Sequence, residues 1–115
     1  LTGELILTGP DALTEDMPVL DVRTVGEYAA GHMPNSLNIP HTQLRDRLDE
    51  VRAWVDENVG DRPFVVMCAA GVRSWIGYRI VRHAGFNVTM LSGGIQTLRA
   101  WLGEKAEAVL VKREG

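Results

Sequence analysis

The residues best suited to chemistry in this sequence surround its only cysteine. Cys68 is followed by Ala-Ala-Gly-Val-Arg-Ser, which places the cation Arg73 five positions after the thiol. A nearby guanidinium favours the thiolate form of a cysteine, and the thiolate is the nucleophilic form. Gly71 allows the backbone between them to curl tightly. This spacing therefore indicates a reactive cysteine beside a cation.

A predicted strand and a predicted helix position this segment. Residues 64–68 form a short apolar run typical of a buried strand, and residues 74–84 have helical periodicity. The predicted apolar side of the helix comprises Ile76, Ile80, Val81 and Ala84. Open α/β sheets bind ligands at the carboxyl ends of their strands, where unpaired backbone N–H groups of the following helix also point. We therefore expect an anion-binding cradle with the thiolate of Cys68 at its floor.

The remaining pattern is that of an α/β domain with a largely parallel sheet. Further strands are predicted at residues 4–7, 19–22, 36–39 and 88–91, and one or two helices within residues 42–59. Thr24 and Glu27 have the spacing of a capping box, which predicts a short helix after the second strand. We expect one domain over residues 1–115, with residues 103–115 as a tail or boundary segment.

Composition excludes several classes of function. The chain has 115 residues, 45% of them hydrophobic and 23% charged, and a formal net charge of −3. The absence of a basic block argues against a nucleic-acid partner, and the absence of a long apolar run argues against a membrane span. One cysteine cannot form an internal disulfide, and the three histidines lack metal-ligand spacing. We expect a cytoplasmic protein without a metal site. The start at Leu1 rather than Met suggests a fragment of a longer protein.

A lone cysteine is more often a small buried hydrophobe than a nucleophile. Here the strand-to-helix position of Cys68, together with Gly71 and Arg73 after it, favours the functional interpretation. The core interpretation stays open as the alternative.

Several separated motifs resemble rhodanese-type sulfurtransferases. The cysteine segment has the form C-x-x-G-x-R between a strand and a helix. Residues 20–24, 27–28 and 31–40 resemble the N-terminal signature of that family, and residues 91–95 with Trp101 resemble its C-terminal one. The resemblance implies a five-stranded parallel sheet flanked by helices on both faces.

The resemblance also implies a chemistry, in which Cys68 takes sulfane sulfur from a donor as a persulfide and passes it to a thiol acceptor. Cys68 and Arg73 are then the catalytic residues. The implied substrate-binding residues are Ala69, Ala70, Gly71, Val72 and Ser74. Asp21 and Arg23 follow a strand and are expected to support the segment through an ion pair.

The number of residues between Cys68 and Arg73, and their lack of charge, distinguish between the kinds of enzyme that use such a cysteine. Cysteine-dependent phosphatases place five residues between cysteine and arginine, whereas four separate Cys68 from Arg73. The uncharged positions in this segment disfavour thiosulfate, so we expect polysulfide or a small-thiol persulfide as the donor, with bulkier donors contacting Trp75 and Tyr78. The cysteine segment and its continuation most resemble the C-terminal module of flavin-dependent oxidoreductases of the coenzyme A disulfide reductase type. This implies no cofactor in the domain itself, and FAD, NAD(P)H and coenzyme A in a fused flavoprotein partner.

Two other functions remain compatible with the sequence. One is a non-catalytic rhodanese-like module that binds a partner, although the intact Cys68 and Arg73 favour catalysis. The other is a redox sensor, in which oxidation of the same thiol needs no sulfur acceptor.

Overall fold

A computed structural model describes residues 7–8, 14, 16–68, 72–91 and 94–112. The strands are β1 (Leu7–Thr8), β2 (Val19–Asp21), β3 (Ser36–Asn38), β4 (Phe64–Met67) and β5 (Val88–Leu91). The α-helices are α1 (Val25–Ala30), α2 (Leu48–Trp54), α3 (Val72–His83), α4 (Gly94–Leu102) and α5 (Ala106–Val109). Short 3-10 helices at Leu44–Arg47 and Gly103–Lys105 precede α2 and α5, and a π-helical turn at Val55–Val59 continues α2.

The sheet is parallel, in the order β1-β5-β4-β2-β3, so β4 lies at its centre. Four strands, β2 to β5, are three or four residues long. The first strand, predicted at residues 4–7, is described only as the two-residue pairing of β1 with β5, and residues 4–6 lie outside the described residues. Of the five strands expected, β2 to β5 are formed as strands of three or four residues, and the first is described only as a two-residue pairing at the edge of the sheet.

Helices cover both faces of this sheet. Successive side chains of a strand point to opposite faces, and β4 shows this alternation. Phe64 and Val66 pack with residues of α2 and α3, whereas Val65 and Met67 pack with residues of α4. We refer to these as the α3 face and the α4 face. The predicted α/β class with flanking helices is confirmed.

Gly77 brings α3 unusually close to the sheet. A Cβ atom at this position would lie 3.0 Å from Val22 Cγ1 and 3.3 Å from Val66 Cγ1. Only glycine leaves room for this approach without displacing these stiff β-branched side chains. The contact packs the middle of α3 against Val66 of β4 and against Val22, which directly follows β2.

The capping box at Thr24 and the helical region at residues 42–59 are both present in the structure. The capping box is confirmed, since the Thr24 side chain accepts from the Glu27 N–H and the Glu27 carboxylate accepts from the Thr24 N–H. The predicted helical region 42–59 is a continuous helical stretch from Leu44 to Val59 that changes from 3-10 to α to π geometry.

Residues 103–112 pack back onto the domain. Leu110 is buried on the α4 face. The Val111 N–H donates to the His32 carbonyl at 2.7 Å, and the His32 N–H donates to the Val111 carbonyl at 2.9 Å. None of the described helices combines the length and apolar character needed to cross a membrane.

Candidate functional site

Cys68 directly follows the central strand β4 and is buried, with 1% of its surface exposed. It belongs to the α3-face cluster, together with Val66 and Tyr78. Its carbonyl accepts a 2.7 Å hydrogen bond from the Ile95 N–H, which ties the start of α4 to the same strand end. Two helices therefore begin beside the cysteine, as expected for a ligand site at the carboxyl edge of a parallel sheet.

Helix α3 begins at Val72, two residues earlier than the predicted start at Ser74. Val72, Arg73 and Ser74 therefore form the first turn of the helix, where backbone N–H groups have no partner within the helix. Ala69, Ala70 and Gly71 lie outside the described residues. The binding and catalytic roles assigned to residues 69–74 stay predictions.

Asp21 and Arg23 form a buried ion pair at the end of β2. Arg23 Nη2 donates to Asp21 Oδ2 at 2.7 Å and Arg23 Nε donates to Asp21 Oδ1 at 3.0 Å, with side chains 5% and 0% exposed. Arg23 Nη2 also donates to the Gly31 carbonyl at 2.7 Å. Asn38 Nδ2 donates to the carbonyls of both Asp21 and Arg23 at 3.0 Å. The pair is thus part of a buried network that joins β2, β3 and the end of α1.

This network lies beside the cysteine but on the other face of the sheet. Asp21 is in register with Met67 on β4, and the Val22 N–H donates to the Met67 carbonyl. Met67 belongs to the α4 face, whereas Cys68 belongs to the α3 face. The described contacts of the ion pair therefore hold the end of β2, which is paired with β4 beside the residue that precedes Cys68.

His32 has a structural environment. Its ring stacks on Tyr28 with centroids 3.7 Å apart, and its Nδ1 lies 2.6 Å from the Tyr28 carbonyl oxygen. It is buried in the turn between α1 and β3. Among the described residues, no group of three or more His, Cys, Asp or Glu side chains is placed to hold a metal ion.

The predicted apolar side of α3 is partly wrong. Val81 is buried as expected, but Ile76 is 42% exposed and Ala84 is exposed. The inward face is instead set by Gly77, which contacts the sheet, and by the buried Tyr78. Sequence periodicity missed this rotation because glycine scores as a poor core residue.

The exposed side of α3 borders a groove that sequence analysis did not identify. The groove has a volume of about 650 Å³ and is lined by residues of α3 and by Arg45 and Leu48. Trp75 lies in it and is 40% exposed, whereas Tyr78 is buried. Of the two aromatic residues expected to contact a bulky donor, only Trp75 is accessible. The adjacent apolar pair Trp75-Ile76 was the signal in the sequence.

Comparison with known proteins agrees with this arrangement. Residues 9–100 match the rhodanese-like domain family, and this range contains the central strand, the cysteine segment and α3. The chain belongs to the rhodanese-like domain family. The predicted family resemblance is therefore confirmed.

Two solved structures of larger proteins contain a similar module. A NAD-dependent persulfide reductase from A. fulgidus is 34% identical with a TM-score of 0.64, over 81% of this chain and 16% of that one. The reduced CoADR-RHD protein of Bacillus anthracis is 30% identical with a TM-score of 0.62, over 81% of this chain and 15% of that one.

A curated relative belongs to a different functional class. An HTH-type transcriptional regulator of Mycobacterium tuberculosis is 38% identical over 82 residues, which are 70% of this chain and 33% of that protein. The chain thus spans a third or less of the length of each of these three proteins.

Proposed function

We propose that this rhodanese-like domain is a sulfurtransferase that relays sulfane sulfur through a persulfide on Cys68. The observation that carries the proposal is the position of Cys68 at the carboxyl end of the central strand, with three residues of sequence between it and the first residue of α3. Backbone N–H groups at a helix start stabilise negative charge, so they favour both the thiolate and the persulfide anion. The proposed sulfur transfer passes through both the thiolate and the persulfide of Cys68.

The relay consists of two displacements without net oxidation or reduction. The Cys68 thiolate attacks the outer sulfur of the donor, the S–S bond of the donor breaks, and the rest of the donor leaves with that electron pair, as a thiolate from a persulfide or as a polysulfide one sulfur shorter. An acceptor thiolate then attacks the outer sulfur of the Cys68 persulfide, and the electron pair of the broken S–S bond returns to Cys68. Arg73, in the first turn of α3, supplies the positive charge for the anionic donor and leaving group.

The proposed donor is polysulfide or the persulfide of a small thiol. Ala69, Ala70 and Val72 carry no charge that would attract a small dianion such as thiosulfate. The similarity to a persulfide reductase and to CoADR-RHD supports the proposal that this domain acts together with a flavoprotein reductase, either fused to it or as a separate protein. FAD, NAD(P)H and coenzyme A would belong to that partner, and the domain itself would need no cofactor.

A second function is a non-catalytic binding or redox-sensing module. The similarity to a transcriptional regulator and the burial of Cys68 favour it. Such a module would be oxidised at Cys68 by peroxide yet would transfer no sulfur to a thiol.

Steady-state transfer distinguishes these functions. Transfer from polysulfide to cyanide should be measured for the wild type and for Cys68→Ser, which keeps the side-chain size. We expect turnover in the wild type only, with kcat/KM for polysulfide above that for thiosulfate. Equal rates in both proteins would contradict the proposal. Loss of the thiol to peroxide without any transfer would support the sensor instead.

A further inference from the structure

The groove along α3 leaves apolar side-chain surface exposed, although Leu48 also packs against the core and Trp75 stacks on Tyr78 and lies beside Arg79. Trp75 and Ile76 are 40% and 42% exposed, and Leu48 lines the same groove from α2. Single exposed apolar side chains are normal on protein surfaces, but neighbouring ones within a concave surface mark an interaction site.

The shape of the groove fits an elongated occupant. The α3 residues that line it are at positions 75, 76, 79, 80 and 83, which form two adjacent rows on one side of the helix, and Ala84 lines it directly after the helix end. At a rise of 1.5 Å per residue, the helical part of this strip, from position 75 to position 83, is about 12 Å long. A strip of that length matches a helix of two to three turns, as in the helix-in-groove mode of recognition.

The charge of the groove selects an acidic occupant. Arg45, Arg79 and His83 line it, and none of the described residues that line it is an Asp or a Glu. Among the described residues, neither arginine forms a salt bridge. Glu50, on the same helical stretch as Arg45, is instead bound to Arg47 at 2.6 and 2.9 Å. That interaction lowers the pKa of Glu50, because Arg47 binds its charged form. The groove is therefore a cationic strip on a chain of net charge −3.

We propose that this groove docks an acidic, amphipathic helical segment of a protein that exchanges sulfur with Cys68. Apolar side chains of the segment would pack against Trp75 and Ile76, and its carboxylates would pair with Arg45 and Arg79. The strip starts at Trp75, three residues after the first residue of α3, so one end of a docked segment would lie toward the end of the helix that Cys68 precedes in the chain. The sulfur exchange rests on the proposed function, whereas the docking does not.

Binding is tested with two designed 14-residue helical peptides that share the same leucine positions and carry either glutamate or lysine at the polar positions. Fluorescence anisotropy should give a dissociation constant at least tenfold lower for the glutamate peptide. Arg79→Glu should weaken that binding at least tenfold and improve binding of the lysine peptide. Ile76→Asp should weaken binding of the glutamate peptide. The control Lys105→Glu makes the same charge change after α4 and should have no effect.

Transfer is tested with the same peptides carrying a cysteine at either end, as acceptors from the persulfidated domain. The peptide thiolate attacks the outer sulfur, the S–S bond breaks, and Cys68 leaves as the thiolate. We expect kcat/KM at least tenfold higher for the glutamate peptide, and loss of this preference in Arg79→Glu while polysulfide still loads Cys68. If Cys68 takes up no sulfur, the proposed function fails and the binding assay still decides the docking.

Other outcomes overturn the docking proposal. Equal affinity for the two peptides, or binding indifferent to Arg79→Glu and Ile76→Asp, would show that the groove does not select an acidic helix. Tighter binding of a single-stranded RNA oligonucleotide or of anionic phospholipid vesicles, lost in Arg79→Glu, would assign the groove to that ligand. A concentration-dependent dimer that Ile76→Asp dissociates would assign it to a second copy of the chain.

Discussion

At the scale of residues, the positive charge of Arg73 is expected to act directly on the transferred sulfur, whereas Asp21 acts from the other face of the sheet. A charge-assisted hydrogen bond contributes about 1.5–3 kcal/mol, or about tenfold to a hundredfold in rate when it forms mainly in the transition state. Arg73→Ala should lower kcat/KM for polysulfide by that factor, and Asp21→Asn should lower it less. Equal and small effects would place the site away from this segment.

The ion pair between Asp21 and Arg23 should contribute to the free energy of unfolding. Removing one partner of a buried pair leaves an uncompensated charge and costs about 3–5 kcal/mol. Asp21→Ala should therefore lower the free energy of unfolding by about that amount in urea denaturation. The double variant with Arg23→Ala should cost clearly less than the sum of the single variants. Additive costs would show that the two side chains do not act as a pair.

At the scale of elements, the close approach of α3 to the sheet predicts opposite signs for two glycine substitutions. Gly77→Ala adds a methyl group against Val22 and Val66, and overpacking of about 1–3 kcal/mol outweighs the helix-propensity gain of about 1 kcal/mol. Gly26→Ala in α1 meets no atom within 4 Å and should stabilise by about 0.5 kcal/mol. Thermal unfolding measures both. A stabilising Gly77→Ala would contradict the packing described for α3.

The sequence predicts an element well when residues that are neighbours in the chain determine it, and poorly when contacts with distant residues do. The strands at residues 64–68 and 88–91 and the capping box at Thr24 are visible because neighbouring residues determine them. The rotation of α3 depends on a contact between Gly77 and distant strands, which periodicity does not contain. The same holds for Asp21 and Arg23, whose charges suggest a surface pair but whose burial follows from β3 and α1.

At the scale of the whole molecule, the question is whether residues 103–112 belong to the folding unit. Leu110 packs on the α4 face although half of residues 104–115 are charged, and it is this composition that suggests a tail. Leu110→Ala should lower the free energy of unfolding by about 2–4 kcal/mol, the usual cost of a buried cavity. Val111→Ala is the matched control, since that side chain is 41% exposed, and should change it by less than about 0.5 kcal/mol. Equal, small effects would show that the segment is not part of the cooperative unit.

The central claim is that sulfur is carried covalently on Cys68, and intact-mass spectrometry tests it most directly. The wild type and Cys68→Ser should each be treated with polysulfide, desalted, and measured before and after addition of cyanide. We expect the mass of one added sulfur atom on the wild type alone, removed completely by cyanide. An unchanged wild-type mass, or the same added mass on Cys68→Ser, would contradict the persulfide relay.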